Sequence, residues 1–338
     1  MNTPGSAQLL FLWSAIYNKY MKNSTKKWLA LGAGLSALAA VLAFNEKIYR
    51  FIFSRHAKPL KFSDDQLPNE QFSQIEEKKK TMRQALKSFE SESFERISDD
   101  GKHLCATLFP ASQMSKKFVI CVHGYRTDGI HEFCAFVPYY LSRHINVLLI
   151  DQRSHGESEG QTITFGLHEA HDLLEWIHWL QEHFGQDIEI ILHGISMGAA
   201  TVMEVSSIVP DQVKFIVEDC GYTSARDEFR HTLSMVHLPE QLYPWISSLF
   251  FVHNLDFLEH IVPVEEVAHS RVPILFVHGT RDTLVPFEMA IQLYDACRQP
   301  KDKLFVYEAD HAQSYSRQTG EYQAKIDHLI DQYMKKDD

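Results

Sequence analysis

The sequence predicts an α/β fold built on a mostly parallel central sheet with helices on both faces, and the prediction rests on a few observations. Short, continuously apolar runs rich in β-branched residues recur along the chain, the pattern of strands covered on both sides. Stretches with helical periodicity, such as Leu167 to Phe184 and Phe287 to Arg298, fall between them, so strand and helix alternate as in crossover-connected parallel sheets. About fifty residues then separate the run ending at Val217 from the run starting at Pro273, too long for an ordinary connection. Their aromatic content (Phe229, Tyr243, Trp245, Phe250, Phe251, Phe257) predicts a small helical lid insertion over 222–268, placed to roof the carboxyl ends of the strands.

Residues 1–20 read as an extension, because Met21 opens a stretch, MKNSTKKWLA, that resembles an ordinary targeting N-terminus. Within 21–55, Trp28 to Phe44 (WLALGAGLSALAAVLAF) is an uncharged apolar run preceded by Lys19, Lys22, Lys26 and Lys27. A retained membrane anchor is the favoured reading. A cleaved signal segment, with Ala37-Leu38-Ala39 as its small-residue site, would instead make the protein secreted, and a buried core helix is the third alternative. Lys47, Arg50 and Arg55 follow the run, so flanking charge assigns no side of the membrane. Residues 56–90 are polar, with Glu76-Glu77-Lys78-Lys79-Lys80 and no sustained apolar face, and predict a linker carrying a surface helix.

The α/β domain is expected over 91–338. It opens with a hairpin, since strand-like runs flank Asp100-Gly101, a dipeptide suited to tight hairpin turns. Further strands are expected at Lys117 to Val122 (KFVICV), Asn146 to Ile150 (NVLLI), Ile188 to Leu192 (IEIIL), Val213 to Val217 (VKFIV), Pro273 to Val277 (PILFV) and Lys303 to Tyr307 (KLFVY).

A length of 338 residues suits one large domain with an N-terminal appendage. The net charge of -11 provides no basic field for a phosphate backbone, which excludes nucleic acid as a partner. The five cysteines are odd in number and widely spaced, with no C-x-x-C pair to hold zinc or form a redox dithiol, and read as small apolar fillers.

The central motif is Gly194-Ile195-Ser196-Met197-Gly198, directly after a predicted strand and before the helical run Ala199 to Ser207. Strand, tight turn and helix in that order expose a serine hydroxyl and aim a helix N-terminus at developing negative charge. A serine at its own pKa is a weak nucleophile, so it needs a base, and the base needs an acid to orient it. Asp282, in His278-Gly279-Thr280-Arg281-Asp282, follows one strand; His311, in Glu308-Ala309-Asp310-His311-Ala312, follows the last. The order Ser, Asp, His is that of a serine nucleophile on a strand-to-helix turn. Asp219, also beyond a strand end, is the competing acid, whereas Asp310 reads as a loop cap. Oxyanion donors are expected from the backbone N–H of Met197 and of Tyr125 in His123-Gly124-Tyr125-Arg126. His123 reads as a brace for that loop, His193 as packing beneath the turn, and Asp151 to Ser158 as a hydrogen-bonded scaffold loop. His168-Glu169-Ala170-His171 has the wrong spacing for a helical zinc site and reads as surface.

Together HGYR, DQRSHGESEG, GISMG, EDCGYTS, HGTRDTLVP and ADHAQSY resemble the α/β-hydrolase superfamily over about Ser91 to Met334. Within it they are similar to the bacterial branch of membrane-anchored serine-aminopeptidase-like and lysophospholipase-like ester hydrolases. The resemblance implies an α/β-hydrolase fold, triad roles for Ser196, Asp282 and His311, oxyanion roles for Tyr125 and Met197, and no metal or organic cofactor. It does not name the substrate; the aromatic insertion, with no dense cationic cluster between Val217 and Pro273, points to a small acyl ester or lipid-like substrate cleaved through an acyl-enzyme, and the N-terminal segment points to localisation at a membrane. A peptidase, an acyltransferase or a thioesterase using the same triad stays open, as does a membrane-tethered binding protein that keeps the fold without turnover.

Overall fold

In the computed structural model the described residues are 6–55, 70–235, 237, 239–244, 247 and 258–335. The chain divides into two compact units, Met1–Ile52 and Phe53–Asp338. The first is carried by α1 (Ser6–Phe53), one continuous helix. Its Lys26–Phe53 stretch is 28 residues long and contains an 18-residue window with a mean hydropathy of 1.7. At 1.5 Å per residue such a window spans about 27 Å, close to the hydrocarbon core of a bilayer. Trp28, Leu29, Leu35 and Phe44 on it are all more than half exposed. The small residues Ala37 to Ala39 lie inside this helix rather than in an extended segment.

The second unit is organised on an eight-stranded sheet in the order β1-β2-β4-β3-β5-β6-β7-β8. Asp100-Gly101 joins β1 (Glu92–Ile97) to β2 (His103–Phe109) as an antiparallel hairpin, with Gly101 at φ 81°. β4 (Asn146–Ile150) pairs antiparallel with β2 and parallel with β3 (Lys117–Val122). From there β5 (Glu189–Ile195), β6 (Val213–Asp219), β7 (Ile274–Gly279) and β8 (Lys301–Val306) add in parallel. β5 runs three residues past its apolar run, through His193-Gly194-Ile195, and β6 and β7 run two past theirs, through Glu218-Asp219 and His278-Gly279, which the runs themselves do not signal. Those extensions place the loops that follow.

Every residue of β3 and β4 is buried, which explains why their sequences, after Lys117 and Asn146 at their starts, are apolar at each position instead of alternating. The pleat still sorts them. Ile120, Val122, Leu148 and Leu192 join one core with Trp176 and Phe276, while Val119, Cys121, Leu149 and Ile191 join the other with Tyr140, Tyr322 and Ile326. α5 (Leu167–Phe184), α6 (Met197–Glu204), α8 (Pro263–Ala268) and α9 (Phe287–Ala296) serve the first face, and α3 (Gly129–Phe133), α4 (Val137–Ser142) and α11 (Thr319–Tyr333) the second. On α5, Leu173, Trp176, Ile177 and Leu180 recur at helical spacing and are buried. The short α10 (Ser314–Arg317) precedes α11.

Two segments differ from expectation in their surroundings. α2 (Glu70–Leu86) is more than a helix on a solvated spacer: Lys79 pairs with Glu132 at 3.1 Å, and Leu86 is buried in the second core. A reading centred on the charge run misses it, because the apolar anchor stands at the helix end. Phe53, Ser54 and Arg55 belong to the same compact unit as the strands. Of the expected insertion, α7 (Ala225–Met235), a short 3₁₀ turn at Glu240–Leu242 and α8 are described. Phe229 and Tyr243 are buried there, whereas Trp245, Phe250, Phe251 and Phe257 lie outside the described residues.

Candidate active site

Ser196 stands between the end of β5 and the start of α6 with φ 57° and ψ -119°, a left-handed conformation costly for a side chain with a Cβ. The flanking glycines make the turn possible. A Cβ on Gly198 would overlap the Val122 carbonyl at the end of β3, and one on Gly194 would overlap the Gly198 carbonyl. Helix, turn and neighbouring strand therefore approach to backbone contact, and the serine is pushed outward.

Gly279 does the same for the acid and histidine loops, since a Cβ there would overlap the Ala309 carbonyl. The loops are tied by Thr280 N to Val306 O and Arg281 N to Ala309 O, both 3.0 Å. This brings Asp282 and His311 together: His311 Nδ1 lies 2.7 Å from Asp282 Oδ2, and His311 Nε2 lies 2.8 Å from Ser196 Oγ. The other carboxylate oxygen of Asp282 accepts from the N–H groups of Leu284 and Val285 at 2.9 Å each. Burial opposes ionisation of Asp282, but His311, with His278 and the Val285 N–H, outweighs it and holds its pKa below the usual carboxylate value. Burial likewise lowers the His311 pKa, and the Asp282 carboxylate more than offsets this, leaving the imidazole easier to protonate than an ordinary histidine.

Asp219 does not share this arrangement. Its backbone carbonyl accepts from Ser196 N at 2.8 Å, while its side chain accepts from Tyr322 OH at 3.1 Å; burial raises its pKa to about 7. His193 sits fully buried under the turn, 2.9 Å from Tyr140 OH and 2.9 Å from Tyr322 OH. Burial drives its pKa down to about 3, so the ring is neutral. Since Tyr322 donates to Asp219, its oxygen accepts from His193 Nε2–H, and Nδ1 accepts from Tyr140: an ordered chain from α4 through β5 to α11.

Met197 opens α6, where amide groups have no intrahelical acceptor. Tyr125 follows Gly124, whose Cβ position would lie 3.3 Å from Ser196 Cβ, so this loop rests directly on the serine turn. His123, fully buried, bonds Gly124 O through Nδ1 and accepts Gln152 N–H at 3.0 Å, the role of a brace. In the Asp151 to Ser158 loop Arg153 grips Asp172 with two bonds of 2.6 Å, and His155 Nε2 accepts Arg126 N–H at 3.0 Å. Glu169 turns inward and caps α5 by accepting from Thr164 and Gly166, so it is not available to a metal beside His168 and His171. Among the described residues, the one cluster with metal-ligand spacing is Cys220, Asp282 and His311, and two of its members are already bonded to each other. Sequence reasoning did not single out Cys220, whose Sγ lies 4.0 Å from His311 Nε2.

A cavity of about 320 Å³ adjoins these loops, lined by Ile195 and Ala312, the neighbours of Ser196 and His311, together with Phe136, Tyr315 and Met82. Lys78 and Arg317 also line it.

The fold and the motif loops define the class: the chain has the α/β-hydrolase fold and is a serine hydrolase. Residues 117–249 match the family described as alpha/beta hydrolase fold, and residues 192–313 match the family described as serine hydrolase (FSH1). Among particular relatives, the uncharacterized protein YqkD of Bacillus subtilis is 25% identical over 63% of this chain and 70% of its own length. The lysophosphatidylserine lipase ABHD12 of Danio rerio is 28% identical over 56% of this chain and 49% of its own length. In structure the chain is similar to the Pyrococcus furiosus esterase Pf2001, with a TM-score of 0.60 and 25% identity over 73% of this chain and 94% of that one.

Proposed function

We propose that the chain is a membrane-anchored hydrolase of carboxylic esters, with Ser196 as nucleophile, His311 as general base and Asp282 as its orienting acid. The observation that carries this is the pair of contacts at 2.8 Å and 2.7 Å linking the serine hydroxyl, both imidazole nitrogens and the carboxylate. Ser196 Oγ attacks the ester carbonyl while His311 Nε2 takes its proton. The resulting imidazolium is stabilised by Asp282 and then protonates the leaving alcohol. Water, deprotonated by His311, frees the acid from the acyl-enzyme. The N–H groups of Met197 and Tyr125 hold the oxyanion in both tetrahedral intermediates.

Apolar walls at Ile195, Phe136 and Met82 suit an acyl chain or a lipid-like alcohol. Similarity to an esterase and to a lysophosphatidylserine lipase favours an ester over an amide. α1, with its exposed apolar side chains, serves as the retained anchor in this reading, 56–90 as the connection and 222–268 as the lid. Purified full-length protein tested on matched ester, thioester and aminoacyl amide substrates checks the bond class. Ester turnover is expected to dominate and to vanish in Ser196→Ala; faster amide cleavage contradicts the ester reading.

A further inference from the structure

We infer that Phe53 and Arg55, at the end of the apolar helix and two residues past it, are positioning residues for the oxyanion loop at Tyr125–Arg126. The inference rests on the oxyanion role proposed for Tyr125. Two separate routes lead from this segment to that loop.

The polar route starts at Arg55, whose guanidinium bonds the carbonyls of Gly156 and Ser158. The same loop carries His155, whose Nδ1–H donates to Arg153 O at 2.9 Å and whose Nε2 accepts the Arg126 N–H at 3.0 Å. That acceptor exists only while the ring is neutral. Burial first, with the charges of His123, Arg55 and Arg126 adding to it, holds the His155 pKa down to about 3. The segment is held along its backbone as well: Ile163 N donates to Phe53 O at 2.7 Å, Arg55 N donates to Gln161 O at 3.0 Å, and Ser54 bridges Thr162.

The aromatic route starts at Phe53, which is fully buried. Its ring meets Phe165 edge-on at 5.6 Å, and Phe165 stacks on Tyr125 at 5.4 Å, with the Arg126 guanidinium 4.6 Å from the centre of the Tyr125 ring. Phe53 also stacks on Phe229 of α7 at 6.4 Å. Phe165 and Arg126 both have positive φ, 52° and 57°, so two residues in the left-handed region depend on their surroundings to stay there. The ring of Tyr125 and the peptide after it are thus both referred to residues 53–55, which restricts Tyr125 from its side chain and from its carbonyl side and so bears on the N–H at its other end.

An oxyanion donor acts in the transition state and little in the ground state, so displacing it lowers kcat and leaves KM nearly unchanged. Full-length Arg55→Ala and Phe53→Leu are compared with wild type by steady-state ester hydrolysis, with Ser196→Ala alongside. Each is expected to lower kcat about tenfold, less than the hundredfold or more from deleting a donor, with KM within about twofold. Arg55→Lys, which keeps the charge without the fork, is expected to recover part of the loss and replaces Arg55→Ala if that variant does not fold. Wild-type kcat in the folded variants, or a raised KM at unchanged kcat, overturns the inference. Turnover abolished in Ser196→Ala alongside wild-type kcat in Arg55→Ala refutes only the positioning role; turnover retained in Ser196→Ala refutes the triad beneath it.

Discussion

His311 has to be neutral to accept the Ser196 proton, and its pKa is raised because the Asp282 carboxylate outweighs the cost of burial. A base with a raised pKa is lost to protonation at a higher pH. The acid limb of the kcat/KM profile is therefore expected to reach half-maximum above the pH of an ordinary imidazole. Asp282→Asn should shift that midpoint down and cut kcat by about four orders of magnitude. An unmoved midpoint contradicts the pairing. At Gly198 the constraint is steric, since a methyl group there meets the Val122 carbonyl, so Gly198→Ala is expected to cost about 1–3 kcal/mol in denaturant unfolding and to slow turnover. Gly320→Ala, with open space around it, is the control and should be neutral or slightly stabilising. These residues were legible because their chemistry is local: a glycine beside a nucleophile, or a carboxylate and an imidazole each one loop beyond an apolar run. Cys220 and Glu169 were less so, because what decides their roles is the company that folding brings.

Strands and helices were read best where burial on both faces leaves no ambiguity in pattern. β3, β4 and α5 have the bounds expected from their sequences. β5 and β7 outrun theirs because His193 and His278 remain in the strand, each buried and hydrogen-bonded to partners distant from the apolar run. His193 joins α4, β5 and α11, so its replacement tests element packing more than chemistry. His193→Leu leaves the Tyr140 and Tyr322 hydroxyls each short of a buried partner, and a loss of about 2–6 kcal/mol is expected from the two together. Differential scanning measurements showing no drop in melting temperature would contradict the ordered chain. α2 and residues 53–55 were the hardest elements to read. Their contacts, Lys79 to Glu132 and Arg55 to Gly156, join positions far apart in sequence, and no periodicity encodes such a pairing.

For the whole molecule, Phe53 is both the last residue of the apolar helix and the first of the compact unit whose loops build the site. With α1 retained, the protein is expected in the membrane fraction and to resist alkaline carbonate, with detergent required to release it; release by carbonate alone contradicts an anchor. The central claim, that one serine on the β5–α6 turn is the nucleophile, is tested most directly by labelling full-length protein with a fluorophosphonate and mapping the adduct by mass spectrometry. The account predicts a single adduct on Ser196, lost in Ser196→Ala and strongly slowed in His311→Ala. An adduct on another residue, or none on folded protein, would contradict it.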